Sequence, residues 1–302
     1  MVSIESGRFA VQLNSKQRTI PKTQGMIEFL KSMTFSASSL NTYLRNPYEF
    51  YENYVLGLRE QDNLLDEPEA KHIGTFVHEL LEDTFKSFIN KKPVLDAEFK
   101  KYFLNISRRR FEEIFGRRQR SDTFLIKSVL ETRLERFLEV ESTRCQKEVS
   151  SIIALEKKFD HVLGLENKSV KLTYRMDRVD QLSDGSILVL DYKTGGQELI
   201  PKNFDDLIHG RLSRELIRDQ LLSFQMPLYL YYLQGVYPDV PVNAALYHLR
   251  TNKIERFIKG NHVEDCKQAV AAGIRALDFI LNEIFDPKVP FVDDPQRNER
   301  DS

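Results

Sequence analysis

The sequence contains no tryptophan, only two cysteines, and no apolar run approaching the ~18 residues that a membrane-spanning helix requires. Cys145 and Cys266 lie far apart and outside CxxC spacing, so neither a disulfide framework nor a cysteine zinc site is indicated. The opening Met1-Val2-Ser3-Ile4-Glu5-Ser6 has neither a basic segment nor an apolar stretch. A secretory signal is not expected there, and a cytoplasmic location follows by default. An excess of charge of one sign is missing too: 44 basic residues against 45 acidic leave a formal charge of -1. Global basicity therefore argues for no partner, and any binding of nucleic acid requires cations segregated onto one face. What is present suits a folded enzyme-sized core, with 41% hydrophobic residues and 20 phenylalanines among 302 residues.

Three segments are expected: an N-terminal arm or linker over 1–33, a folded domain over 34–286 and a charged tail over 287–302. Ser36 is placed to cap a short helix running through Arg45, and Pro47 to open a second one through Phe50, Tyr51 and Tyr54. Between Asp66 and Asn90, residues Ile73, Val77, Leu80, Leu81 and Phe85 recur at helical spacing. The proline-free, highly charged stretch of about 95–148 reads as a helical insertion of two or three helices. Strands follow over 151–159 and 169–181. A Ser183-Asp184-Gly185 turn then leads into the apolar run Ile187 to Lys193. A helix from about 214 to 234, strands over 242–249 and 254–258 and a last helix over 269–284 complete a mixed α/β order of helix, three strands, helix, strand.

The chemistry concentrates in Tyr174-Arg175-Met176-Asp177-Arg178-Val179-Asp180 and Leu190-Asp191-Tyr192-Lys193-Thr194-Gly195. Residues i and i+2 of a strand share a face, so Asp191 and Lys193 project together, and the hairpin brings Asp177 alongside. Two carboxylates and an ammonium converging in this way suit Mg²⁺, a hard cation that prefers oxygen ligands. A bare DxK is also what a surface hairpin with a cross-strand ion pair would show. Three features favour a site. Asp191 ends a strand that is apolar on both faces, where a charge is costly unless paired or metal-bound. His78, in Gly74-Thr75-Phe76-Val77-His78, lies beside the apolar stripe of its helix, although taken alone it reads first as a hydrogen-bonded core histidine. Gln225 and Tyr229 share one helical face at i and i+4, a spacing that a tyrosine-rich core helix would also show.

In this order the pieces resemble the RecB/AddB-type branch of the PD-(D/E)XK nucleases, which includes the CRISPR-adaptation exonucleases. They are Ser36 to Leu40 with Tyr43, Pro47 and Phe50; Gly74 with His78; Glu156; Asp177 to Asp180; Asp191 to Gly195; and Gln225 with Tyr229. The resemblance implies a restriction-endonuclease-like α/β core, with His78, Asp177 and Asp191 holding Mg²⁺ or Mn²⁺ and the carbonyl of Tyr192 as an extra ligand. It implies Lys193 as the catalytic lysine, Gln225 and Tyr229 in support, DNA as substrate and a helicase subunit as partner. Cleavage from DNA ends during recombination or break repair would follow, the chain serving as the nuclease part of a helicase–nuclease. Two departures stand out. Asn46 replaces a cysteine that many relatives use for a [4Fe–4S] cluster, and the C-terminal residues from Pro290 hold no cysteine, so no cluster is expected with two thiols where four are needed. Tyr174 stands where a glycine often precedes the first aspartate.

The groups Arg108-Arg109-Arg110 and Arg117-Arg118-Gln119-Arg120 can track phosphates, but Glu112 and Glu113 among them favour a solvated helical face. The rival reading of the whole chain is a catalytically inactive DNA-binding or scaffolding domain of the same fold. Retention of every acidic and lysine position argues against it.

Overall fold

The computed structural model describes residues 18–58, 68–116, 121–165, 168–195, 200–201 and 204–294. Its centre is an antiparallel meander of β3 (Val149–Leu165), β4 (Lys168–Leu182) and β5 (Ile187–Lys193). Strand β6 (Val242–His248) lies parallel to β5 from Ile187↔Val242 to Lys193↔His248, and β7 (Lys253–Arg256) runs antiparallel along β6. Strand β2 (Thr34–Ser36) joins β4 in parallel from Lys171 to Thr173. One edge of β4 is thus covered throughout by β3, while the other carries β2 up to Thr173 and β5 only from Arg178. Residues 174–177 fall between these two neighbours, and the candidate site forms there.

Every residue of β5 from Ile187 to Tyr192 is buried, as its apolar run dictates for a strand covered on both faces. Leu188, Leu190 and Tyr192 pack toward α4 (Pro68–Phe85), α5 (Ala97–Phe115) and α6 (Ser121–Lys147). The stripe on α4 closes this layer through Val77, Leu80, Leu81 and Phe85, each no more than 2% exposed. Ile187 and Val189 face the opposite layer, built from α1 (Gln24–Ser32), α2 (Ala37–Arg45), α9 (Gln225–Val236) and α10 (Val263–Phe285). Ser36 caps α2 through a reciprocal bond with Ser39. Asn46 caps α3 (Pro47–Phe50) by accepting from Tyr48 and Glu49, and a π-helical stretch, Tyr51–Val55, follows.

Three sequence expectations need correction. The supposed arm is structured from Arg18 onward: β1 (Thr19–Ile20) pairs with β8 (Phe291–Val292), and Ile27 and Leu30 of α1 are buried. Residues 1–17 lie outside the described residues. The same pairing anchors the supposed tail, where Phe291 is fully buried, while 295–302 lie outside the described residues. A two-residue strand is too short to show periodicity, and two inward positions in a polar nine-residue helix are easily missed. Finally, the stretch 214–234 holds two helices, α8 (Arg214–Leu221), which follows α7 (Asp205–His209), and α9. They are separated at Leu222, which takes φ +65° with no glycine or proline to announce it. The break is held from a distance: Asn41 on α2 donates to Ser223 Oγ and accepts from the Phe224 N–H.

Candidate active site

Helix α4 passes close to the end of β5 at Gly74. A Cβ at that position would lie 3.3 Å from Thr194 Oγ1. One turn later His78 points into the interval beside β4. Its Nδ1 lies 2.9 Å from Glu156 Oε1 and 3.5 Å from Asp177 Oδ2, and its Nε2 lies 3.2 Å from the Tyr192 carbonyl. Both ring nitrogens face acceptors, which an imidazolium satisfies. Burial opposes that charge, but the hydrogen bond to Glu156 and the charges of Asp177, Glu156 and Asp191 outweigh it and raise the His78 pKa to about 9.

Strand β5 leaves the β4 ladder after Leu190, and the Tyr192 N–H is satisfied by Asp177 Oδ2 at 2.7 Å. Burial, with repulsion from Asp191, pushes the Asp177 carboxyl up to about 8, against the pull of His78. Glu156, on β3, stands across from Asp177 on β4, between the pairs Leu155↔Arg178 and Lys157↔Met176. Its φ of +43° is a strained conformation for a non-glycine residue. The ligand atoms of His78, Glu156 and Asp177 lie within 4.8 Å of one another.

Asp191 is held from two sides. Gln225 Nε2 donates to its Oδ1 at 2.6 Å, and Lys193 Nζ lies 2.9 Å from its Oδ2. The break before α9 puts Gln225 in the first helical turn, within reach of this carboxylate. Gln225 also donates to the Tyr229 hydroxyl at 2.8 Å, and that hydroxyl donates to the Arg175 carbonyl. The fold therefore gathers all seven residues singled out from sequence: His78, Asp177, Asp191, Tyr192, Lys193, Gln225 and Tyr229. Within the gathering, however, the tight triad contains Glu156 where the sequence reading put Asp191. Glu156 appeared in the motif series without a role. The register of the meander sets it opposite Asp177, and no local residue pattern announces that register.

Asp180 belongs elsewhere, despite its place in the Asp177 to Asp180 motif. It is fully buried with Arg178, Glu141 and Arg144. Arg178 Nε lies 2.6 Å from Asp180, its Nη1 lies 2.8 Å from Glu141, and Arg144 Nη2 bonds Asp180 and Glu141 at 2.6 and 2.8 Å. Arg178 also reaches the Tyr192 hydroxyl at 3.5 Å. The arginine groups of the insertion fare differently. Arg108 and Arg109 pair with Glu131 and Glu113 at 3.2 and 3.8 Å, and Arg110 pairs with Asp83. These three form the solvated, ion-paired face that the neighbouring glutamates suggested. Arg117, Arg118 and Arg120 lie outside the described residues.

Residues 34–297 match the profile of the PD-(D/E)XK nuclease superfamily. The chain belongs to that superfamily. Among curated relatives of this PD-(D/E)XK chain, an uncharacterized protein of Rickettsia bellii is 30% identical over 209 residues, covering 67% of this chain and 24% of that protein. A second relative, from Streptococcus agalactiae, is a subunit of an ATP-dependent helicase/deoxyribonuclease. It is 29% identical over 186 residues, covering 61% of this chain and 16% of its own length. The match thus spans a quarter or less of either relative. The mixed α/β sheet with the helix–meander–helix–strand order is the fold expected of a PD-(D/E)XK nuclease. No helix among the described residues is long and apolar enough to cross a membrane.

Proposed function

We propose that this PD-(D/E)XK nuclease is a deoxyribonuclease that depends on Mg²⁺ or Mn²⁺ and hydrolyses phosphodiester bonds from DNA ends. We place it in recombination or double-strand-break repair, beside a helicase, by analogy with its streptococcal helicase/deoxyribonuclease relative. The observation that carries the metal dependence is the acidic triad. Three ligand-bearing groups, two of them carboxylates, converge in a buried interval where burial and the charge of Asp191 oppose ionisation of Asp177. His78, Asp177 and Glu156 would hold the cation, with Asp191 and the Tyr192 carbonyl beside them. When bound, it supplies positive charge to a phosphoryl oxygen and acidity to the attacking water.

The chain's own residues do the rest. Lys193 places an ammonium at the rim of the site, steered by Asp191, where it stabilises the charge that develops on the phosphate. Gln225 fixes the rotamer of Asp191, and Tyr229 fixes Gln225 while tying the helix to the backbone of β4. Arg178 steadies the far end of Tyr192, whose backbone touches both Asp177 and His78. Incubation of the purified chain with linear and with covalently closed circular DNA, each with and without Mg²⁺, tests the proposal. Loss of linear DNA only when Mg²⁺ is present supports it. Rapid cutting of closed circles would replace the end-dependent reading with an endonuclease, and no cutting under any condition would reject the activity.

A further inference from the structure

A formal charge of -1 gives this chain little long-range attraction for a polyanion, so its hold on a strand must come from a few placed cations. The most conspicuous arginines, Arg108 to Arg110, are already paired with acids. Two others are not. Arg133 on α6 and Arg250 just after β6 are both exposed, and neither has an ion pair or hydrogen bond among the described residues. They line one apolar hollow, walled by Val77, Leu134, Phe137 and Leu249, that reaches Thr194. Thr194 directly follows Lys193 and is the residue against which Gly74 of α4 is packed.

No acid among the described residues lines the hollow that the two arginines share, so an anion bound there meets two cations and no competing carboxylate. The apolar wall lowers the local dielectric and so strengthens attraction to such an anion. The planar fork of arginine matches phosphate oxygens in pairs. We infer that Arg133 and Arg250 clamp a backbone phosphate of the nucleic-acid strand that flanks the bond cut beside Lys193. The clamp draws one cation from the helical insertion and one from the core sheet, so the insertion contributes directly to the substrate path. The inference rests on the reading of the neighbouring site as a phosphodiesterase.

The test compares two charge-matched double variants of the full chain, R133A/R250A and R108A/R109A. Binding of a labelled single-stranded oligodeoxynucleotide is followed by anisotropy in EDTA over a series of salt concentrations, and Mn²⁺ affinity is measured by calorimetry. Loss of two phosphate contacts should lower the slope of log affinity against log salt by about 1.4 in R133A/R250A. The R108A/R109A slope should stay at the parental value, and Mn²⁺ affinity should be parental in both variants. In cleavage assays R133A/R250A should raise KM while kcat holds. Equal slopes in all three proteins, or equal losses in both variants, overturn the clamp. A parent that binds strand and Mn²⁺ without cutting would reject the nuclease reading yet leave the clamp to be judged by its slope. A parent that cuts, with R133A/R250A unchanged in slope and KM, would reject the clamp alone.

Discussion

Replacing Asp177 with asparagine separates two demands on the site, binding a cation and remaining folded without one. Burial, with Asp191 and Glu156 nearby, pushes the Asp177 carboxyl from its ordinary 3.8 up to about 8. The unfolded chain gives up this proton near pH 4 and the native chain near pH 8, so between those values the native state holds the additional proton. Native stability therefore falls as pH rises through that window, by at most about 1.4 kcal/mol per pH unit, and this contribution levels off above it. His78, raised from 6.5 to about 9, acts in the same direction: its contribution is complete below pH 6.5 and lost as pH rises through 9. From pH 6 to pH 8 the metal-free parent should lose roughly 2–3 kcal/mol through Asp177, on the order of 5 °C in melting temperature for a domain of this size. Asparagine cannot ionise, and its amide oxygen can still accept from the Tyr192 N–H. In EDTA, Asp177→Asn should melt above the parent at pH 8, with the difference shrinking toward pH 5. In Mn²⁺ at a hundredfold excess over its Kd the parent gains about 2.7 kcal/mol and the variant little, so the order narrows or reverses. Scanning fluorimetry across this pH range, with and without Mn²⁺, reads both effects. A variant that melts below the parent at pH 8 in EDTA, or that Mn²⁺ stabilises as strongly as the parent, refutes the reasoning.

Other outcomes follow from the same geometry. Lys193→Ala should reduce cleavage by on the order of 10²–10³-fold while sparing DNA binding, since its charge acts mainly as the transition state forms; single-turnover rates beside an anisotropy titration would show it. Gln225→Ala frees one oxygen of Asp191 and should weaken Mn²⁺ binding roughly 10–100-fold with little change in melting temperature, measured by calorimetry. Gly74→Val places branched carbons against Thr194 and should push α4 off the end of β5, lowering Mn²⁺ affinity sharply while far-UV circular dichroism is retained. Arg178→Met leaves Asp180 and Glu141 short of a partner in the interior and should cost about 3–5 kcal/mol in urea unfolding.

The candidate site was legible in the sequence to the extent that its parts are linked by strand and helix periodicity. Asp191 and Lys193 share a face because they are two apart, and Gln225 and Tyr229 because they are four apart. The turn at Asp184 and Gly185 folds β4 back onto β5 beside Asp177. The role of Glu156 was not legible, because it depends on the register of β3 against β4 and on a positive φ that no local residue pattern announces. The anchoring of both ends was hidden for a related reason. A two-residue strand carries no pattern, and its partner Phe291 is more than 250 positions away, in a stretch that composition marks as a charged tail. The ion pairs of Arg108 to Arg110 were foreshadowed by glutamates in the same helix, yet two of their three partners lie on other helices. Arg133 and Arg250 gave no signal, since an isolated arginine acquires meaning only from what the fold leaves unpaired around it.

The quartet of Arg178, Asp180, Glu141 and Arg144 bears on how modular this protein can be. By sequence the stretch 95–148 resembles a cassette that could be removed from a nuclease core or exchanged for a homologous one. Yet two of the four interior charges, Glu141 and Arg144, ride on that cassette, while the other two belong to β4, the strand that carries Asp177. Each half is neutral by itself, but the halves are cross-linked: Arg178 of β4 pairs with Glu141, and Arg144 of the cassette pairs with Asp180. A chimera that swaps the helices alone would leave Arg178 without Glu141 and Asp180 without Arg144 in the interior, so a transplant between relatives has to carry helix and strand residues together. The seam of interchange in this fold therefore runs through the middle of β4 rather than through the loops that bound the insertion.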